Sequence, residues 1–175
     1  MSDASAETVT VTYLEMTAPP AHDPPLPVGA RITLLCADDP PVGYFLYLYR
    51  TVGAAYEWTD WLERPPAEQA AFVRDPAVTL HTMMVEGWPG GFFMLDRRRP
   101  GVCDLAYFGL VPEAQGRGLG RWLLGRAIRT AWDRPDIERV TVNTCTLDHP
   151  AALPLYQRMG FAPVRRVEHA RERQG

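Results

Sequence analysis

The sequence predicts an α/β fold with two neighbouring parallel strands at the centre of its sheet. Three observations predict it. From residue 102 onward the apolar pattern reads strand, helix, strand, helix, strand. A strand–helix–strand crossover is right-handed and leaves its two strands parallel and adjacent. A loop with three alternating glycines, Gly116-Arg117-Gly118-Leu119-Gly120, joins the first of those strands to its helix. In such sheets ligands bind beyond the carboxyl ends of the strands.

Taken in order, residues 1–30 read as a peripheral N-terminal strand and arm. Thr8 to Met16 is an edge-strand candidate, with Val9, Val11 and Tyr13 alternating. Ala18 to Pro27 holds five prolines and reads as an extended linker or surface arm. Arg31–Ala37 opens the main domain, residues 31–168, as its first core strand. Val42, Phe45, Leu46 and Tyr49 fall at i, i+3, i+4 and i+7, which predicts a helix over 41–52 ended by Gly53. Pro66 to Arg74 is a second helix with prolines at its start. Val78–Val85 and Gly91–Asp96 are strands joined by Glu86-Gly87-Trp88-Pro89-Gly90, a turn by composition. Arg97-Arg98-Arg99 before Pro100-Gly101 reads as a hairpin tip. Val102–Val111 is the central strand, 118–133 a helix and Glu138–Thr146 a strand. Asp148 is placed to cap a helix that Gly160 ends. Residues 169–175 read as a flexible charged tail.

Composition narrows the function. With 175 residues the chain suits one domain with a real core. The net charge of −3 gives no general attraction to nucleic acid or to an anionic membrane. No apolar run approaches membrane-spanning length. Cys36, Cys103 and Cys145 are odd in number and each lies in an apolar stretch, which predicts reduced, buried thiols in a cytoplasmic protein. No Cys or His pair has metal-ligand spacing, so no metal is expected.

The glycine loop by itself has two readings, a tight helix start or a phosphate cradle. The first N–H groups of a helix lack intrahelical partners, and the dipole there favours negative charge. Neither the dinucleotide fingerprint nor the P-loop spacing fits, and the chain has no lysine. Residues 138–161 supply a second motif, Ala152-x-x-Leu155-Tyr156-x-x-x-Gly160-Phe161. Together with Gln115-x-x-Gly118-x-Gly120 after the strand Leu105–Val111, it resembles the GCN5-related N-acetyltransferase (GNAT) superfamily over about residues 102–165. His149 stands where many members carry asparagine.

The resemblance implies a mixed, mostly antiparallel central sheet with one splayed parallel strand pair, flanked by about four helices. It also implies acetyl-CoA as cosubstrate and an amine as acceptor, either a small molecule or a peptide. It makes Tyr156 the acid near the departing sulfur and Asp104 the base, with His81 and His149 as fallback bases. The backbone of Phe108, Gly109, Leu110 and Val111 would bond the pantetheine amides. The N–H groups of Gln115, Gly116, Arg117, Gly118, Leu119 and Gly120 would hold the diphosphate, with charge from Arg117 and Arg121. His149 and Tyr156 complete the cofactor wall. With regular alternation, Asp104 shares a face with Ala106, Phe108 and Leu110. Tyr44, Tyr47, Tyr49, Tyr56, Trp58 and Trp61 are either an aromatic acceptor wall or ordinary packing. The alternative function is a non-catalytic acyl-CoA-binding sensor. An exposed edge strand leaves a homodimer open.

Overall fold

A computed structural model describes residues 7–171. Seven strands form one sheet: β1 (Glu7–Met16), β2 (Ile32–Cys36), β3 (Val78–Val85), β4 (Trp88–Asp96), β5 (Val102–Leu110), β6 (Arg139–Cys145) and β7 (Ala162–Arg171). Five α-helices accompany them among the described residues: α1 (Val42–Gly53), α2 (Asp60–Glu63), α3 (Pro66–Val73), α4 (Leu119–Trp132) and α5 (Ala152–Arg158). The element beyond the expected four is α2, a single turn. The strand order is β2-β3-β4-β5-β6-β1-β7, antiparallel throughout except for β5 and β6.

The parallel pair is short. It holds only Val102 opposite Arg139, Cys103 opposite Val140 and Asp104 opposite Thr141. Beyond Asp104 the two strands part, and the site is built in that gap.

Helices hold the gap open by packing on both faces. On α4, Leu119, Leu123, Leu124, Ala127, Ile128 and Ala131 are buried, a stripe at helical spacing. On α1, Phe45, Leu48, Tyr49 and Val52 are buried. Phe45 packs within 6.1 Å, ring to ring, of Tyr49, Trp61, Phe72 and Tyr107. Each such side chain contributes about 1.5–3 kcal/mol on full burial. Gly109 lets α1 approach β5, because a Cβ there would sit 2.3 Å from Val52 Cγ1.

Four expectations need correction or narrowing. β1 is not an edge strand: it lies between β6 and β7, with Leu14 and Met16 buried. The Pro-rich arm is no free linker, since Asp23 pairs with Arg129 at 2.8 Å and a Cβ at Gly125 would lie 2.5 Å from Pro24 Cδ. Residues 169–171 belong to strand β7, while the rest of the expected tail, 172–175, lies outside the described residues. All three cysteines are free, but Cys36 is exposed rather than buried and Cys145 only half-buried.

Candidate active site

Between the parted strands lies a cleft of about 300 Å³. Its walls come from β5 (Leu105 to Leu110), the loop and helix start (Gln115, Gly116, Gly118, Leu119, Gly120), and α5 (Ala152, Leu155, Tyr156). Val52, Tyr56 and Trp58 close it from the side of α1, and Asn143, Asp148 and His149 from the end of β6.

The loop geometry requires glycine at two points. Gly116 has φ +72° and Gly118 has φ +74°, the left-handed region that costs other residues about 1–2 kcal/mol. Gly118 is the residue before the first turn of α4, and no side chain caps that turn. The helix N-terminus, with its positive dipole end, therefore meets the cleft without a protein acceptor from a capping side chain. Gly116 has open space around the position of a missing Cβ. Gln115 braces the loop, donating from Nε2 to Leu110 O at 3.4 Å and to Tyr56 Oη at 3.3 Å.

Tyr156 is carried into the cleft by α5. Pro154 is the third residue of this helix, where a missing N–H breaks no internal bond. Gly160, at φ +105°, ends the segment. The Tyr156 ring is buried between Phe108 and Phe161, at 6.2 and 5.9 Å. Burial, and then the charge of Asp148, push its phenol well above the ordinary tyrosine value. It stays protonated at neutral pH, and its hydroxyl makes no hydrogen bond to the protein among the described residues.

Asp148, read from sequence as a helix cap, does something else. Its carboxylate accepts from Thr144 Oγ1 at 2.7 Å, the Cys145 N–H at 2.9 Å and Trp58 Nε1 at 3.2 Å. It ties the aromatic segment to the end of β6. No side chain caps α5; His149 Nδ1 instead accepts the Ala151 N–H, just ahead of the helix, at 3.0 Å. His149 also lines the cleft, its ring 6.0 Å from that of Tyr56. Sequence reasoning missed Asp148 as a site residue; the signal was its place between Thr144 and a tyrosine helix, but its Trp58 partner lies 90 residues away.

Asp104 is placed differently from the expectation. Met94 pairs with Tyr107 and Leu95 with Leu105, so Ala106 is an unpaired extra residue, a β-bulge. Alternation resets there. Asp104 shares its face with Tyr107 and Gly109, not with Phe108 and Leu110. It lines a second, polar groove of about 850 Å³ with Asp96, Arg98, Arg99, Arg139, Thr141, Tyr13, Glu15 and Arg165. Asn143 lines both the groove and the cleft, so Asp104 stands at the apex where the two meet. Burial raises its pKa, partly offset by the 2.5 Å hydrogen bond from Thr141 Oγ1 and by the charge of Arg99.

The remaining sequence-predicted residues divide. Phe108, Leu110, Gln115, Gly116, Gly118, Leu119, Gly120, His149 and Tyr156 all line the cleft. Val111 does not, because its N–H is donated to Gly90 O at 3.0 Å. Arg117 and Arg121 are not in the wall either, and Arg117 Nη2 lies 3.5 Å from Glu86 Oε1. His81 is buried in β3, its ring stacked 4.5 Å from Phe93, away from both cavities. Burial, and secondarily Arg97, lower its pKa to about 4. Of the six aromatic residues, Tyr56 and Trp58 wall the cleft, Tyr49 and Trp61 are core, Tyr44 bonds Thr82 at 2.8 Å and Tyr47 is exposed. Among the described residues no group of His, Cys, Asp or Glu is placed to hold a metal ion, and no helix is long and apolar enough to cross a membrane.

A splayed parallel pair, a glycine loop opening a helix, and a buried phenol in the gap together define the fold and its candidate site. A sequence model described as the acetyltransferase (GNAT) family matches residues 29–161, and the chain belongs to that family. Its general reaction is acetyl transfer. The fold is shared with a GCN5-related N-acetyltransferase from Kribbella flavida (18% identity, 97% of this chain and 59% of that one, TM-score 0.60). It is also shared with one from Sphaerobacter thermophilus (22%, 94% and 52%, TM-score 0.63). A third similar structure is an aminoglycoside acetyltransferase from an uncultured soil metagenomic sample (14%, 73% and 86%, TM-score 0.58). The chain thus spans between half and three fifths of the length of the first two.

Proposed function

We propose that this chain transfers an acetyl group from acetyl-CoA to an amine by direct attack on the thioester. The observation that carries this reading is the cleft itself, which joins an uncapped helix N-terminus to a protonated, unpartnered phenol. Backbone N–H groups from Gln115 to Gly120 take the diphosphate, and Phe108 to Leu110 take the pantetheine arm. His149 takes the place of the family asparagine.

The amine lone pair attacks the carbonyl carbon, the C–S bond breaks, and the sulfur leaves as a thiolate. Tyr156 donates a hydrogen bond to that sulfur. Its raised pKa suits a donor better than a source of free protons, since a thiol near 8.5 needs little help at neutral pH. Removing the proton from the amine is the harder task. For a lysine-like amine it costs about 4–5 kcal/mol at pH 7. Asp104, at the apex and lifted by burial, takes that proton, directly or through water. No cysteine lines the cleft, which favours direct attack over a covalent relay. The three free thiols suit a reducing compartment such as the cytoplasm.

A thiol-release screen with acetyl-CoA across an amine library tests the reading. Release with at least one amine is expected, and Tyr156→Phe should cut turnover about 10²-fold while CoA affinity changes little. Tight binding with no release from any amine would instead identify an acyl-CoA sensor.

A further inference from the structure

The groove around Asp104 carries an uneven set of charges. Four arginines and three carboxylates line it: Arg98, Arg99, Arg139 and Arg165 against Glu15, Asp96 and Asp104. Two pairs cancel. Arg98 Nη2 lies 2.6 Å from Asp96 Oδ2, and Arg139 Nη1 lies 3.5 Å from Glu15 Oε2. That leaves Asp104, whose partner is the neutral Thr141 hydroxyl. It also leaves Arg99 and Arg165, which have no carboxylate partner among the described residues. Arg165 is held over the Tyr13 ring at 4.2 Å, an ordered placement for a surface guanidinium.

Register puts the strand-borne groups on one surface, and Arg98 and Arg99 line the same groove from the connection between β4 and β5. Asp104 pairs across to Asp96 on β4 and to Thr141 on β6, Thr141 to Glu15 on β1, Asn143 to Tyr13, and Tyr13 to Arg165 on β7. Laterally paired residues project from the same face of a sheet. A buried carboxylate at the apex is thus flanked by two uncommitted guanidiniums farther out.

We propose that the groove is the acceptor site and selects a small amine that also bears an anionic group, a carboxylate or a phosphate. This rests on the acetyl-transfer reading and names its acceptor class. The amine lies at Asp104 and the anion between Arg99 and Arg165. A guanidinium binds either anion through charge-assisted, often bidentate, hydrogen bonds.

Matched acceptors test it in the full chain: O-phosphoethanolamine against ethanolamine, and β-alanine against β-alaninamide, each followed by thiol release and by equilibrium titration in the presence of CoA. At least one anionic member should exceed its neutral partner in kcat/KM by about tenfold or more. Which pair shows it separates phosphate from carboxylate. Arg99→Gln and Arg165→Gln should each collapse that ratio through KM, while Arg74→Gln, on the surface at the end of α3, leaves it intact. Equal kcat/KM within both pairs, or ratios indifferent to both groove arginines, would overturn the proposal. So would titrations in which no anionic amine binds more tightly than its neutral partner. Anionic amines that bind through Arg99 and Arg165 yet release no thiol would support the groove and refute acetyl transfer.

Discussion

Strand β5 behaves as two different strands on either side of Ala106. Before it, Val102 to Asp104 are paired with β6, and Asp104 and Leu105 with β4. After it, β5 keeps its β4 partner, but its other edge faces the cleft. The bulge also exchanges the faces. Asp104 is left in the polar groove, while Tyr107 turns into the aromatic cluster under α1 and Phe108 toward Tyr156. One unpaired residue therefore sets a carboxylate on one side of the apex and a phenol on the other. A regularly alternating strand could not also give α1 its glycine and α5 its phenylalanine.

Deleting Ala106 attacks that difference at its root. Leu105 and Tyr107 would keep their partners and faces opposite Leu95 and Met94, but the bend and added twist of the bulge would go, straining the hydrogen bond that Trp61 Nε1 donates to the Tyr107 hydroxyl. The expected result is a loss of about 3 kcal/mol, read as a lower midpoint of denaturant unfolding. A stable protein with normal near-UV dichroism would show that the bulge is dispensable.

Asp104→Asn tests the groove half without disturbing the fold. Thr141 keeps an acceptor, while the base is lost, so kcat/KM with a basic amine should fall about 10²-fold and recover as pH rises. Stability should move the other way. A carboxylate with a raised native pKa contributes stability only below its unfolded value of 3.8 and loses it as pH rises through the native value. At pH 7 the asparagine variant is therefore at least as stable as the parent. Thr141→Val removes the hydrogen bond that lowers the Asp104 pKa, so the acidic limb of the rate profile should move to higher pH.

His81 provides a contrast from the part of the sheet paired on both edges. Its native pKa of about 4 lies below the ordinary 6.5, so the unfolded chain binds more protons between those values. The stability this gives is complete above about pH 6.5 and lost as pH falls toward 4, on the order of 3 kcal/mol. Denaturant titrations of His81→Asn should show a flatter pH dependence across that window, with thiol release unaffected at pH 7.

What the sequence revealed follows the range of the interactions involved. The loop from Gln115 to Gly120 and the helix bearing Tyr156 were legible because positive φ, helix starts and stops are encoded within a few residues. The bulge was not, since nothing in Leu105-Ala106-Tyr107 marks an extra residue until β4 is laid beside it. The place of β1 was hidden for the same reason. An alternating strand looks alike at an edge or between two neighbours, and only its pairing with β6 and β7 decides. Val111 misled because the partner of its amide, Gly90, is 21 residues away on β4.

The central claim is that the gap between β5 and β6 holds acetyl-CoA, and calorimetric titration of the parent chain and of Ala152→Trp tests it most directly. Ala152 lines the cleft at the start of α5, so an indole there would fill the gap. The parent should bind acetyl-CoA, with a stabilisation of about 2.7 kcal/mol at a hundredfold excess over Kd, and the tryptophan variant should remain folded but lose binding. No heat and no melting shift with the parent at millimolar acetyl-CoA, or equal affinity in the two proteins, would contradict the account.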